Sequence, residues 1–216
     1  MTIHSSTWIK AGALSCLLAC AGDMVVPVLL ANSYPGYDSV AQSESMLGAA
    51  GSPVAVWFTV WSVCLAILFF VFAWGLQQAF WPKAKRMGLA AWMLVLYGIG
   101  EGLGSGLFPD DQTANVLTLS GRVHSAMSIM GSGALYLLPL VWLLRPPPHG
   151  PRLKALSLST LILSGLFMAL FGAAKLGLCG QDGLWQRAYI VVSYVYLLTL
   201  AWFMLRNASK KPKGLY

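Results

Sequence analysis

Two carboxylates, Asp23 and Glu101, lie inside apolar runs of this chain. An ionisable group at such depth in hydrocarbon costs on the order of 2–3 kcal/mol on insertion scales, so each is expected to face protein or water rather than lipid. Cys20 stands three residues before Asp23 and Cys16 a turn earlier, on the same helical face. Pro27 follows, where it kinks a helix or frees a carbonyl. Glu101 sits in GIGEGLGSGLFPDD, four residues before Ser105 and shortly before Asp110 and Asp111. Arg122 and His124 then precede Ser125, and His124, Ser128 and Ser132 recur at helical spacing as one polar stripe. Acids, one imidazole and the cations Arg122, Lys175 and Arg187 suit ligand capture, proton exchange or ion pairing. A histidine with carboxylates could also hold zinc or act as a general base. The plainer readings are a hydrogen-bonded structural histidine, solvated loop acids, and a glycine ridge (Gly98, Gly102, Gly106) for close helix packing, the functional reading of those glycines being a locally broken helix whose exposed backbone lines a polar cavity.

The elements that must position these residues are spanning helices. A chain of 216 residues that is 57% hydrophobic and 10% charged, with mean hydropathy +0.68, is too apolar for a soluble domain. Apolar runs cover about 8–31, 53–80, 87–108, 123–144, 155–177 and 185–205. Each approaches or exceeds the ~20 residues that cross hydrocarbon as a helix. The expected architecture is one all-α domain over 1–216, a polytopic bundle of six transmembrane helices. The net charge of +7 does not indicate nucleic acid, because the basic residues flank apolar runs instead of forming a stripe on a polar domain.

Charge also sets the orientation. Lys10, Lys83, Lys85, Arg86, Arg145, Arg152, Lys154, Arg206, Lys210, Lys211 and Lys213 fall on one side, leaving Arg122, Lys175 and Arg187 on the other. Both termini are therefore expected in the cytoplasm, with 32–53 and 108–121 outside. All seven acidic residues fall outside or in the outer half of a span. Asp23, Glu101, Asp110, Asp111, Arg122, His124, Lys175 and Arg187 thus share one depth, and buried charges need partners. A polar pocket opening outward is expected there. Leu17-Leu18-Ala19-Cys20 loosely resembles a lipoprotein cleavage box, but the apolar run continues through Leu30, as an uncut span would. The four cysteines form no CxxC pair and no metal-ligand spacing; three lie in apolar runs, and Cys179 has no evident loop partner. The loop 145–152 reads as a stiff basic connector, and the tail as a basic segment drawn to anionic headgroups.

The loop Tyr34-Pro35-Gly36-Tyr37 with Gly51-Ser52-Pro53, Phe108-Pro109-Asp110 after the third span, His124 opening the fourth, and Arg187 opening the sixth resemble a bacterial six-span membrane family, domain of unknown function 998. Either Ser45 or Glu44 takes the place of that family's loop acid. The resemblance covers nearly the whole chain and implies a multi-pass protein of the bacterial inner membrane, with no assigned activity.

Three functions compete. The first is a binder or transporter of a membrane lipid or small amphiphile, held by Asp23, Glu101, Ser105, Asp110, Arg122, His124, Ser128 and Arg187. The second is a sensory or assembly subunit of a membrane complex. The third is an intramembrane hydrolase or transferase using His124 with Asp110, Asp23 or Glu101. Against that one, there is a single embedded histidine and no HExxH, and Leu103 spoils a Gly-x-Ser-Gly reading of Leu103-Gly104-Ser105-Gly106. No metal, haem or other cofactor is expected.

Overall fold

A computed structural model describes residues 3–80, 86–113, 116–144 and 151–208. Lys83, Lys85, Arg145, His149 and the tail lysines lie outside the described residues, as does most of the proline-rich connector. The helices are α1 (Ile3–Asn32), α2 (Ala55–Phe80), α3 (Arg86–Tyr97), α4 (Ser105–Leu107), α5 (Leu119–Leu143), α6 (Pro151–Lys175) and α7 (Asp182–Ala208). A 3-10 turn, Glu44–Gly48, interrupts the first long loop. Among the described residues the strands are confined to a two-residue antiparallel ladder, β1 (Gln112–Thr113) with β2 (Val116–Leu117).

Among the described residues, five uninterrupted helices are long and apolar enough to cross a membrane: Ser6–Asn32, Ala55–Ala79, Leu119–Leu143, Pro151–Lys175 and Asp182–Arg206. The stretch expected as a continuous span over 87–108 is built differently. It runs as α3, then a π-helical segment over Gly98–Gly104, then the single turn α4. Alternating glycines weaken the α-helix here, and the wider turn is closed by Ser105, whose N–H reaches the Gly100 carbonyl. The same change of pitch alters the expected stacking of Ser105 on Glu101: the Ser105 hydroxyl donates to the Gly100 carbonyl at 3.1 Å.

The helices close into a ring, α1–α2–α3–α5–α6–α7, with α7 returning to α1. Small residues set the tightest crossings. A Cβ on Gly12 would stand 2.7 Å from the Cα of Gly75, which fixes α1 against α2. Gly98 and Gly102 face α2, where Cβ atoms would meet Phe70 and Ala66, while Gly100 faces Gly131 of α5. The π-helical segment is therefore clamped on two sides, and its glycines permit the approach.

α6 is the least enclosed span, with 17% of its apolar window buried against 50% for α7. Its buried positions are Leu153, Ser157, Thr160 and Ser164, and none lies beyond Ser164. Ser157 bonds Tyr196 of α7 at 3.0 Å. Beyond Gly165, which packs on Tyr136, α6 stands away from α5 and leaves a gap.

Candidate functional site

Asp23 is only 7% exposed, and neutral donors from two other helices hold both of its oxygens. Trp61 Nε1 donates to Oδ1 at 2.8 Å, and the Tyr194 hydroxyl donates to Oδ2 at 2.6 Å. The Tyr97 hydroxyl lies 2.8 Å from that of Tyr194. Tyr194 has one hydrogen and gives it to the carboxylate, so Tyr97 must be the donor in that pair. Pro27, one turn on, has no N–H to offer the Asp23 carbonyl.

Glu101 is held in the same manner. Ser128 Oγ donates to Oε1 at 2.9 Å, Ser132 Oγ donates to the same oxygen, and the Tyr189 hydroxyl stands 2.9 Å from Ser132. By the same count of hydrogens, Tyr189 donates to Ser132. Neither Asp23 nor Glu101 has an ion pair with Lys or Arg among the described residues.

His124, 5% exposed, is latched by the end of the broken helix. Its Nδ1 lies 3.1 Å from the Ser105 carbonyl and 2.8 Å from that of Phe108. Both partners only accept, so Nδ1 carries a hydrogen and the Nε2 lone pair is left for the interior in the neutral ring.

These groups meet at one void. A chamber of about 50 Å³ at the centre of the ring is lined by Asp23, Glu44, Glu101, Ser105 and His124 together with Trp61, Tyr97 and Tyr189. The third acid, Glu44, arrives on the 33–54 loop. Its backbone N–H donates to Gln186 Oε1 at 2.6 Å, and its carboxylate pairs with Arg187 Nε at 3.3 Å. Burial pushes Glu44 from its ordinary 4.5 up to about 8; the facing Asp23 and Glu101 add to the shift and Arg187 opposes it.

Arg187 also fixes the loop. Its Nη1 donates to the carbonyls of Ser39, Gln42 and Gly183, and Nη2 donates to the Tyr37 hydroxyl at 2.9 Å. Gly36, with φ +81°, makes the turn that places Tyr37 there.

Beside the chamber, the gap between α5 and α6 forms a groove of about 530 Å³. One wall carries His124, Ser128 and Ser132, and the opposite wall Met168, Phe171 and Gly172. At its loop end Lys175 lies 3.8 Å from Asp110 and 3.6 Å from Asp182, and donates to Ser43 at 3.0 Å. Ser45, His124 and Tyr189 border both spaces and form the partition between them.

Among the residues expected at one site, Asp23, Glu101, Ser105 and His124 line the chamber, while Asp110 and Ser128 line the groove. Arg187 holds the lid-like loop. Arg122 does not join them: it is exposed and borders neither space, because its position on α5 points away from the ring. Sequence reasoning missed Trp61 and Tyr194, which donate to Asp23, and Tyr97 and Tyr189, which stand behind Tyr194 and Ser132 in the two hydrogen-bond chains. Among the described residues no three His, Cys, Asp or Glu side chains gather as a metal site.

Apolar helices closed into a ring around a polar interior define an α-helical multi-pass membrane protein. A family model described as "Protein of unknown function (DUF998)" matches residues 17–203, and the chain belongs to that family. No curated protein and no solved structure matches it.

Proposed function

We propose that this is a six-span protein of the bacterial inner membrane, with both termini cytoplasmic, which binds or moves a lipid or small amphiphile taken from the outer leaflet. Lys10, Arg152, Lys154 and Arg206 mark one end of the ring, and the seven acids lie towards the other, which supports that orientation. The observation that carries the functional reading is the groove. Its volume of about 530 Å³ suits a small ligand, and it sets an apolar wall on α6 against a line of serines on α5. Such a surface matches a chain with a hydroxyl-rich or zwitterionic head, and Lys175 with Asp110 would meet the head at the loop end.

Gly133 and Gly172 provide the test, since a Cβ at either has nothing within 4 Å. Gly133→Phe therefore fills the groove without straining the helices. Native mass spectrometry of protein released in mild detergent should show an amphiphile bound to the unaltered chain and lost from Gly133→Phe. Identical lipid occupancy in both proteins would end the reading.

A further inference from the structure

The chamber poses a charge problem that the groove does not explain. Asp23, Glu44 and Glu101 surround about 50 Å³, and Arg187 supplies one ion pair, to Glu44. Three ionised acids at that spacing in a low-dielectric interior repel one another strongly. Among the described residues Asp23 and Glu101 have only neutral donors, so a proton is the smallest charge that relieves them. At about 30 Å³ for each water, the volume has room for about one or two, in contact with the acids that line it.

We propose that the chamber is a proton-binding site at which Asp23 and Glu101 take up and release a proton, and that its state is transmitted to the groove through Ser132, Tyr189 and His124. The second half rests on the groove being the ligand site; the first does not.

The hydrogen-bond chains have the reversible form this requires. With Asp23 ionised, hydrogens run from Tyr97 to Tyr194 to Oδ2. A proton added at Oδ2 makes Asp23 the donor, Tyr194 then donates back to Tyr97, and the Tyr97 hydrogen turns into the chamber that Tyr97 lines. No heavy atom has to move. A proton added to Glu101 at Oε1 displaces the hydrogens of Ser128 and Ser132, and Ser132 then turns to Tyr189 or into the groove it borders. The groups facing this exchange are Asp23 on α1, Glu44 on the loop, Tyr97 on α3, His124 on α5, and Arg187, Tyr189 and Tyr194 on α7. His124 offers Nε2 to the interior, 95% shielded from solvent, and is the natural stop between the two spaces.

The test uses the full chain in lipid nanodiscs and two readouts. Infrared titration follows the carbonyl band of protonated carboxylic acids. The unaltered protein should show a band that titrates, with separate parts lost in Asp23→Asn and Glu101→Gln. A band unaffected by both substitutions, or no band at all, overturns the proton site. The second readout is the affinity of a fluorescent alkylphosphocholine, whose own charge is constant between about pH 5 and 9. Affinity should change tenfold or more across that range. The slope should flatten in Glu101→Gln and also in Ser132→Ala, which keeps both acids and guards against a misfolded acid variant. Equal slopes in all three proteins overturn the coupling. No probe binding at any pH overturns the groove reading and the coupling with it, while the infrared result still decides the proton site.

Discussion

Trp61 donates its indole N–H to Asp23 at 2.8 Å, and its ring lies directly on Gly22. A Cβ at Gly22 would come within 2.8 Å of Trp61 Cζ2. The Gly22→Ala variant should therefore push the indole aside, remove one donor from a buried carboxylate, and cost about 1–3 kcal/mol. The indole N–H resonance of Trp61, assigned by its loss in Trp61→Phe, should move upfield in Gly22→Ala. An unshifted resonance would show that the glycine is not what seats the ring.

Arg187 serves Glu44, the Tyr37 hydroxyl and three carbonyls at once. A lysine has the charge but not the planar fork. We expect Arg187→Lys to leave the helices intact and release the 33–54 loop, at a cost of about 1–3 kcal/mol to its docking from acceptors left unpaired. Limited proteolysis should cut within 38–46 in the variant and not in the unaltered protein.

Loop docking should also depend on pH. Glu44 goes from 4.5 to about 8 when buried, so the docked loop holds that proton more tightly than a free one. The contribution is complete below about 4.5 and is lost as pH rises through about 8. Protease protection of the loop should fall over that window and become flat in Glu44→Gln. Protection that improves with pH would give the opposite sign and refute the assignment.

Lys175 contributes little to stability. Its side chain is 39% exposed and its two acid contacts lie at 3.6 and 3.8 Å, so each pair is worth roughly 0–1 kcal/mol. Lys175→Met should leave the unfolding temperature within a degree or two while changing which headgroups co-purify. A large loss of stability with unchanged lipid selection would reverse this division of labour.

The positions of the helices follow from apolar length alone, and the need to shelter Asp23 and Glu101 follows from the cost of charge in hydrocarbon. The stripe of His124, Ser128 and Ser132 is visible as helical spacing. Their partners are not. Tyr97, Tyr189, Tyr194 and Trp61 sit in runs of apolar residues, where an aromatic ring reads as packing, and only the ring closure of α7 on α1 brings a hydroxyl to Asp23. Charge counting placed Arg122 with the others because it senses depth along the membrane normal, not direction around a helix. The glycine alternation marked the third helix as unusual, yet whether such a stretch unwinds, bends or widens depends on the neighbours that clamp it.

The wide turn over Gly98–Gly104 holds one residue more than an α-helix of the same rise would use. Deleting a single glycine there would let the segment rewind to ordinary pitch while the Ser105–Phe108 tip, with the two carbonyls that grip the imidazole, keeps its facing. A deletion elsewhere in α3 has no such slack and would turn the tip by roughly 100°. The length of this segment is thus a countable mark in any related sequence: a chain one residue shorter there holds the imidazole from an ordinary helix.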